Sequence, residues 1–289
     1  MDFLLSGSEL ICVVPGRSLP IDILRSESLE RGLIPFEVVE ARGAKCFKLE
    51  EHLLRLWESI VACGLHHHFV QRVLLRDLAG HIGNVLSIVG FAESVVRISI
   101  IADTEGKLSP AAILISVNLS TRPNQPLALL TVPYVRNFPE LKLGGTYAHA
   151  QIMLRLHKGY DDILYFHPYL NVVTEASRAN FFAVIGTPEH RFLYGAKKSS
   201  LILPGITRRT LLDIISDKRE AGIFSGELPY DRLSQVTEAF IASTTKRIMP
   251  VYQIDGRYLP VGEDRYGGPV TRMFRVWFDE YAEAYYGQK

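Results

Sequence analysis

The sequence predicts a two-domain α+β protein. Its 289 residues suit two domains at roughly 150 residues per domain. The first part combines alternating strand patterns with two helical patterns, as in an antiparallel sheet covered by helices. The stretch Ser120–Pro126, STRPNQP, has the composition of a connector. We therefore expect a smaller N-terminal domain over residues 1–120, a linker over 121–127 and a larger domain over 128–289.

The first domain shows strand and helix patterns in alternation. Strands are rich in apolar and β-branched residues, and we expect them at Glu9–Val14, Phe36–Ala41, Lys45–Lys48, Val95–Ala102 and Ala111–Leu119. Apolar residues recur at the helical period in two further segments, Glu50–Cys63 and Val70–Leu86. Turn compositions stand at Pro15–Arg17 and Asp103–Gly106, and Gly64 marks the end of the first helix.

The second domain alternates strands and helices over its whole length. The expected strands are Ile163–Phe166, Asn180–Ile185, Arg191–Tyr194, Glu238–Ala242 and Val251–Ile254. The expected helices are Thr146–Lys158, Gly205–Lys218 and Pro269–Tyr285.

The composition argues against several classes of protein. A net charge of +1 gives no electrostatic reason to expect a nucleic acid or a membrane as partner. No window approaches the roughly 18 consecutive apolar residues of a membrane-spanning helix, and the N-terminus lacks the features of a signal peptide. Three scattered cysteines fit a reducing compartment. A cytoplasmic protein is expected.

Several catalytic motifs are absent. There is no GxGxxG, HExxH or GxSxG, and the stretch Gly195–Ser200 lacks the first glycine of a phosphate-binding loop. The triplet His66–His68 has no nearby cysteine or carboxylate pair to complete a metal site, so no metal is expected.

The stretch Pro139–Val184 contains the residues with the clearest chemical pattern. Lys142 precedes a glycine pair and a helical pattern, and Glu175 follows a strand pattern further on. This layout suits a lysine that bonds a cofactor carbonyl and a carboxylate that meets the far side of the same cofactor.

Four blocks in the same order resemble the class IV (fold-type IV) pyridoxal-phosphate aminotransferases. The blocks are Phe36–Leu56, Pro139–Val184, Leu203–Leu212 and Glu238–Gly256. The second block contains the pattern E-x-S-x-x-N at Glu175, Ser177 and Asn180. The family includes branched-chain aminotransferases, D-amino-acid aminotransferases and aminodeoxychorismate lyases. The resemblance implies a two-domain fold of type IV, whose larger domain is a mixed, barrel-like sheet with helices, and it implies pyridoxal 5'-phosphate as cofactor.

The resemblance also implies roles for the residues of the second block. Lys142 would bond the cofactor carbonyl and move the substrate Cα proton. Tyr147 would lie near the phenolic oxygen of the cofactor, and Glu175 would keep the pyridine nitrogen protonated. Ser177 and Asn180 are assigned to the cofactor site with them.

The phosphate end of the cofactor is expected at a helix start. Gly205, Ile206 and Thr207 open a helix whose free N–H groups and dipole favour a dianion. The resemblance adds the guanidinium of Arg55 as a bidentate phosphate partner. The hydroxyl and amide groups of Ser243 and Thr244 are further candidates.

Substrate contacts are expected from Phe36, Arg97 and Thr245. Arg97 is a candidate for the substrate carboxylate, and an outward-facing strand arginine is the alternative; Arg136 is a second candidate. The segment Leu33–Phe36 is bulkier than the glycine-containing segment usual in the family, and it is expected to reshape the pocket wall.

The expected reaction is transamination between an amino acid and a 2-oxo acid, of the branched-chain type. The resemblance implies a homodimer with one cofactor per subunit. Two alternatives keep the cofactor: a D-amino-acid aminotransferase, and a lyase of the aminodeoxychorismate type. A third, of another class, is a catalytically silent protein that uses the fold for binding.

Overall fold

The structure, a computed structural model, describes residues 2–6, 9–13, 26–102, 112–121, 125–187, 190–197, 199–220, 223–262 and 264–288. The expected turns at Pro15–Arg17 and Asp103–Gly106 lie outside these residues. The chain divides into two compact units. Unit 1 contains Met1–Thr121 and Leu141–Thr146, and unit 2 contains Arg122–Glu140 and Tyr147–Lys289. Among the described residues, no helix combines the length and the apolar character needed to cross a membrane.

Unit 1 is built on an antiparallel sheet. Its strands β1 to β6 are Asp2–Ser6, Glu9–Val13, Phe36–Arg42, Lys45–Cys46, Glu93–Ile101 and Ala112–Leu119. They lie in the order β2-β1-β6-β5-β3-β4. The strands expected from the sequence are confirmed, although β4 is shorter than expected, and β1 is an additional strand between β2 and β6.

Two long helices cover one face of this sheet, and a short helix precedes β3. They are α1 (Glu27–Arg31), α2 (Leu49–Ala62) and α3 (Gln71–Val89). The last two confirm the helices expected from the 3.6-residue period, which places apolar side chains on one helix face. These side chains form one core with the sheet, which includes Val39, Leu53, Leu56, Ile60, Leu78, Ile82, Val85, Val96 and Ile98.

Unit 2 is built on a larger mixed sheet that closes on itself. Its strands β7 to β15 are Leu127–Pro133, Asp162–His167, Val172–Ala176, Ala179–Gly186, Arg191–Tyr194, Phe224–Gly226, Glu238–Ser243, Arg247–Ile254 and Arg257–Tyr258. The sheet order is β12-β11-β10-β13-β14-β7-β8-β9, and β9 also pairs with β10. This last pairing closes a barrel-like ring from β10 through β13, β14, β7 and β8 to β9.

Strand β7 was not expected from the sequence. It lies between β14 and β8 and pairs in parallel with both. A strand in this position has neighbours on both faces. Its sequence, LALLTVP, is therefore almost entirely apolar and lacks the alternation of a half-exposed strand. The connection from β7 to the parallel strand β8 contains the expected helix α4, Ala148–Leu156.

Two longer helices complete unit 2. Helix α5 is Ile206–Asp217 and helix α6 is Pro269–Gly287, close to the expected bounds. The rings of Phe182 and Phe240 stack at 5.1 Å on the outer face of the ring of strands, and Phe274 of α6 packs on Phe240 at 5.7 Å. Alternate residues of the same strands, such as Phe181 and Ile241, belong to a separate apolar cluster.

Candidate functional site

Lys142 belongs to unit 1, where its backbone N–H and its carbonyl each form a hydrogen bond. The N–H of Phe36 donates to the carbonyl of Lys142 at 3.0 Å. The N–H of Lys142 donates to the hydroxyl of Ser59, on α2, at 3.2 Å. The lysine is therefore attached both to the start of β3 and to a covering helix.

The glycine pair after Lys142 allows two backbone segments to approach closely. Gly144 donates to the carbonyl of Ile34 at 2.9 Å, and Gly145 donates to that of Gly32 at 3.1 Å. A Cβ added to Gly145 would lie 2.9 Å from that Gly32 oxygen. Any larger residue at 145 would push the two segments apart, which explains the glycine there.

The side chain of Lys142 lies beside Phe36 and Arg97, the two residues of unit 1 that were expected to contact substrate. Its Nζ is 4.9 Å from the ring centroid of Phe36, and the Cζ of Arg97 is 3.9 Å from the same centroid. Arg97 also donates from Nε to the hydroxyl of Ser99 at 3.3 Å. Two cations thus approach one aromatic ring, a favourable cation–π arrangement.

Arg55 forms a buried ion pair with Glu37. Its Nε and Nη2 donate to the two carboxylate oxygens at 2.7 Å and 2.9 Å. The Nδ1 of His52 lies 2.8 Å from Oε2 of Glu37. Glu37 is 0% exposed. Alternation along β3 places Glu37 against α2 and Phe36 on the opposite face of the sheet.

This cluster has well-defined protonation states. Burial alone would raise the pKa of Glu37, but the charges and hydrogen bonds of Arg55 and His52 outweigh it and lower that pKa far below its usual value. Burial lowers the pKa of His52, more than its contact with Glu37 raises it. His52 is therefore neutral near pH 7 and donates its Nδ1–H to the carboxylate.

In unit 2, two donors fix the buried carboxylate of Glu175. The Nε of Arg136 donates to Oε1 at 3.1 Å, and the N–H of Leu203 donates to Oε2 at 2.9 Å. Glu175 and Arg136 are each 4% exposed. The carboxylate is consequently held in one orientation at the end of β9.

Arg136 does not have the position expected of a substrate-carboxylate partner. Besides its bond to Glu175, its Nη2 donates to the carbonyl of Pro139. Its Cζ lies 5.6 Å from the ring centroid of Tyr147, the residue that precedes α4. Arg136 instead connects two of the residues assigned to the cofactor, Tyr147 and Glu175.

Asn180 acts on the loop that leads into α5. Its Nδ2 donates to the carbonyl of Leu203 at 2.9 Å, while the N–H of Leu203 is bonded to Glu175. A Cβ at Gly205 would overlap the Asn180 side-chain oxygen, so only glycine fits there. The glutamate and the asparagine of the E-x-S-x-x-N pattern face each other across β9 and β10, and together they fix this loop.

Ser177 uses its hydroxyl within the protein. It stands in the tight turn between β9 and β10 and donates to Oδ1 of Asp162, a carboxylate that is 0% exposed. Its N–H donates to the carbonyl of Ile163 at 2.9 Å. These bonds tie the turn to β8, and a contact between Ser177 and the cofactor stays a prediction.

The N-termini of α5 and α6 differ in a way that bears on anion binding. In α6, the carboxylate of Glu238 accepts from the N–H groups of Val270 and Thr271 at 3.1 Å and 2.8 Å. No side chain among the described residues accepts from the N–H groups of Ile206 or Thr207 in α5, although both residues are buried. The first turn of α5 is therefore suited to an external anion.

The turn Ser243–Thr245 joins two adjacent strands of the same sheet. Ser243 ends β13 and pairs with Arg247, the first residue of β14. Ser243 and Thr244 are half-buried, whereas Thr245 is exposed. The preceding residue, Ala242, pairs with Asn180, so the turn extends from the strand end that lies beside the loop before α5.

Four residues of these clusters were not assigned their present roles from the sequence. They are Glu37, His52, Ser59 and Arg136. The first three do have a signal in the sequence, because each is a polar residue on an otherwise apolar face. Glu37 lies on the core side of β3, and His52 and Ser59 lie on the sheet-facing side of α2. No local sequence pattern indicates that Arg136 pairs with Glu175.

The residues present fit pyridoxal 5'-phosphate. The cofactor needs a lysine amine for its carbonyl, a carboxylate for its ring nitrogen and donors for its phosphate. Unit 1 holds the lysine and an arginine. Unit 2 holds a buried, oriented carboxylate, and the loop bonded to that carboxylate leads directly to an uncapped helix start.

Comparison with known proteins agrees with this chemistry. A family model described as "Amino-transferase class IV" matches residues 35–254. The branched-chain-amino-acid aminotransferase of Haemophilus influenzae is 29% identical over 176 residues, which cover 56% of this chain and 49% of that protein. The chain thus matches about half the length of this relative. The D-alanine aminotransferase of Listeria monocytogenes is 28% identical over 265 residues, and the match covers 85% of each chain.

A solved structure shows the same fold. The branched-chain aminotransferase of the archaeon Thermoproteus uzoniensis, with norvaline, has a TM-score of 0.77 at 21% identity, and the match covers 96% of this chain and 93% of that chain. This likeness confirms the expected fold class.

Proposed function

The chain belongs to the class IV aminotransferase family, and we propose on this basis that it transfers amino groups between amino acids and 2-oxo acids with pyridoxal 5'-phosphate. The observation that carries the proposal is the buried carboxylate of Glu175, oriented by Arg136 and by the N–H of Leu203. An anion kept in one orientation by two donors is suited to pair with a protonated ring nitrogen.

Lys142 is assigned the catalytic role. When bound, the cofactor supplies the electron sink for the carbanion at the substrate Cα. The amine of Lys142 would hold the cofactor carbonyl in the resting enzyme and would act as the base that takes the proton from the substrate Cα. The backbone bonds of Lys142 support this role because they restrict the region in which the amine can move.

The remaining residues are assigned to binding. Gly205, Ile206 and Thr207 would hold the phosphate with their amides, and Arg55 would hold it with its guanidinium, which the ion pair with Glu37 orients. Ser243 and Thr244 supply further donors. Tyr147 is assigned to the phenolic oxygen of the cofactor.

Phe36, Arg97 and Thr245 are assigned to the substrate. The ring of Phe36 and the guanidinium of Arg97 lie beside the amine of Lys142, which supports contacts with an amino acid bound there. We propose a branched-chain L-amino acid as donor. The D-alanine aminotransferase relative, matched over 85% of its length, supports a D-amino acid as the alternative, and a donor panel of L- and D-amino acids with 2-oxoglutarate distinguishes the two.

We further propose a homodimer in the cytoplasm. The exposed apolar side chains of α4 support self-association, since Ile152 and Leu156 are 56% and 70% exposed on a helix that buries only Ala150. Cys46 and Cys63 are free thiols, which suits a reducing compartment.

Visible absorption of the purified protein tests the enzyme proposal. Incubation with pyridoxal phosphate is expected to give a yellow band that Lys142→Ala lacks. Lys218→Ala is a matched control, since this lysine also lies over an aromatic ring, that of Trp277 at 5.6 Å. A colourless parent protein after incubation would overturn the proposal.

A further inference from the structure

Ser59 occupies a buried position between two residues assigned to opposite ends of the cofactor. It is 1% exposed and lies one helical turn after Arg55 on α2. Its hydroxyl donates to the carbonyl of Arg55 at 3.3 Å and accepts from the N–H of Lys142 at 3.2 Å. One oxygen atom therefore joins the backbone of Arg55 to that of Lys142.

The bond from Ser59 restricts the backbone of Lys142. The carbonyl of Lys142 is held by the N–H of Phe36, so the hydroxyl of Ser59 completes the attachment of this residue's backbone. A serine on a helix that bonds the carbonyl four residues earlier has its hydroxyl fixed in direction. Without this hydroxyl, the part-buried N–H of Lys142 would lose this hydrogen bond, which is unfavourable.

We propose that Ser59 is a positioning residue that fixes Lys142 relative to Arg55, and thereby fixes the distance between the amine that bonds the cofactor carbonyl and the guanidinium that binds the phosphate. The proposal rests on the proposed function. It concerns contacts within unit 1 alone, and it assigns to Ser59 no contact with the cofactor.

Two cofactor forms distinguish this role from a general structural one. Pyridoxamine phosphate carries the same ring and phosphate as pyridoxal phosphate but has an amine in place of the carbonyl, so it forms no bond with Lys142. In Ser59→Ala, the dissociation constant for pyridoxal phosphate is expected to rise on the order of tenfold, the effect of one unmade hydrogen bond. The constant for pyridoxamine phosphate should stay close to that of the parent.

The control is Ser87→Ala. Ser87 makes the same bond to the carbonyl four residues earlier, that of Gly83, at 2.9 Å, but it has no second partner among the residues that the structure describes. Both dissociation constants should therefore match the parent. Equal losses for the two cofactor forms in Ser59→Ala, or no loss for either, would overturn the proposal. A parent protein that binds neither form would instead refute the proposed function.

Discussion

At the scale of single residues, the carboxylate of Glu175 shows how burial and charge can act together. An ionised carboxylate out of contact with water is unfavourable unless donors satisfy it. Arg136 and the N–H of Leu203 meet this need on separate oxygens. The same bonds fix the plane of the carboxylate, so stabilisation of the charge and orientation of the group have one origin.

Glu175→Gln tests the electron-sink role. The amide retains the shape of the side chain but loses the anion, so the cofactor should still bind while Cα proton transfer in the half-reaction slows on the order of 100-fold. Stopped-flow absorbance measures this rate. Glu238→Gln is the control, because this buried carboxylate caps α6 and should affect stability rather than rate. An unchanged rate in Glu175→Gln would remove this residue from the assignment.

The buried cluster of Glu37, His52 and Arg55 predicts a pH dependence of stability. The folded pKa of Glu37 is lowered, so its contribution is fully present at pH values above the unfolded pKa of about 4.5 and is lost progressively as the pH falls from there towards the folded pKa. The folded pKa of His52 is also lowered. Below its ordinary value of 6.5, the unfolded chain gains a proton that the folded protein does not take up, and stability falls.

His52→Gln isolates the histidine contribution. Between pH 7.5 and about 5.5, the thermal midpoint of the parent should fall more than that of the variant, because the variant has no imidazole to protonate on unfolding. Thermal denaturation at the two pH values measures the difference. His67→Gln, at an exposed histidine bonded to the carbonyl of Gly64, should retain the pH dependence of the parent. Equal falls in the parent and in His52→Gln would contradict the prediction.

At the scale of elements, short segments are positioned by backbone bonds to distant parts of their own unit. The loop before α5 is held by Glu175 and Asn180 through the two polar groups of one residue, Leu203. The Lys142 segment is held in a similar way by β3 and α2. A loop residue held by both its N–H and its carbonyl leaves the neighbouring residues little freedom, as a binding site requires.

Gly145→Ala tests the close approach of the Lys142 segment to Gly32. The added methyl would lie 2.9 Å from the Gly32 carbonyl oxygen, so the segment must shift, at about 1–3 kcal/mol of unfolding free energy. Cofactor affinity should fall with it. In Gly80→Ala, the new methyl meets no atom within 4 Å, and the helix should become more stable by roughly 0.5–1 kcal/mol. Chemical denaturation measures the unfolding free energy of both variants. If the two substitutions changed it equally, the steric argument would be refuted.

At the scale of the whole molecule, the proposed homodimer predicts a definite mass in solution. We expect a solution mass of twice 32.5 kDa by light scattering. Leu156→Asp should lower this mass towards that of the monomer, because a carboxylate on the apolar face of α4 would be desolvated in the contact. Ile88→Asp, at an exposed isoleucine on α3, is the control and should leave the mass unchanged. A parent that is monomeric at all concentrations would refute the homodimer.

Much of this protein was determined by the sequence alone. The helices and most strands follow from local periodicity, because each depends on residues close together in the chain. The fold class and the cofactor follow from four motif blocks in order. The central strand β7 was missed, because a strand buried on both faces has no alternating pattern.

Only the tertiary structure decided which side chains act on one another. Arg136 and Glu175 are 39 positions apart, and Ser59 and Lys142 are 83 positions apart. The sheet and the helix packing bring each pair together, and no local pattern encodes such a pairing. Arg136 thereby changed from a candidate for the substrate carboxylate into the partner of Glu175. The sequence determined the chemistry that is present, and the fold decided how that chemistry is oriented.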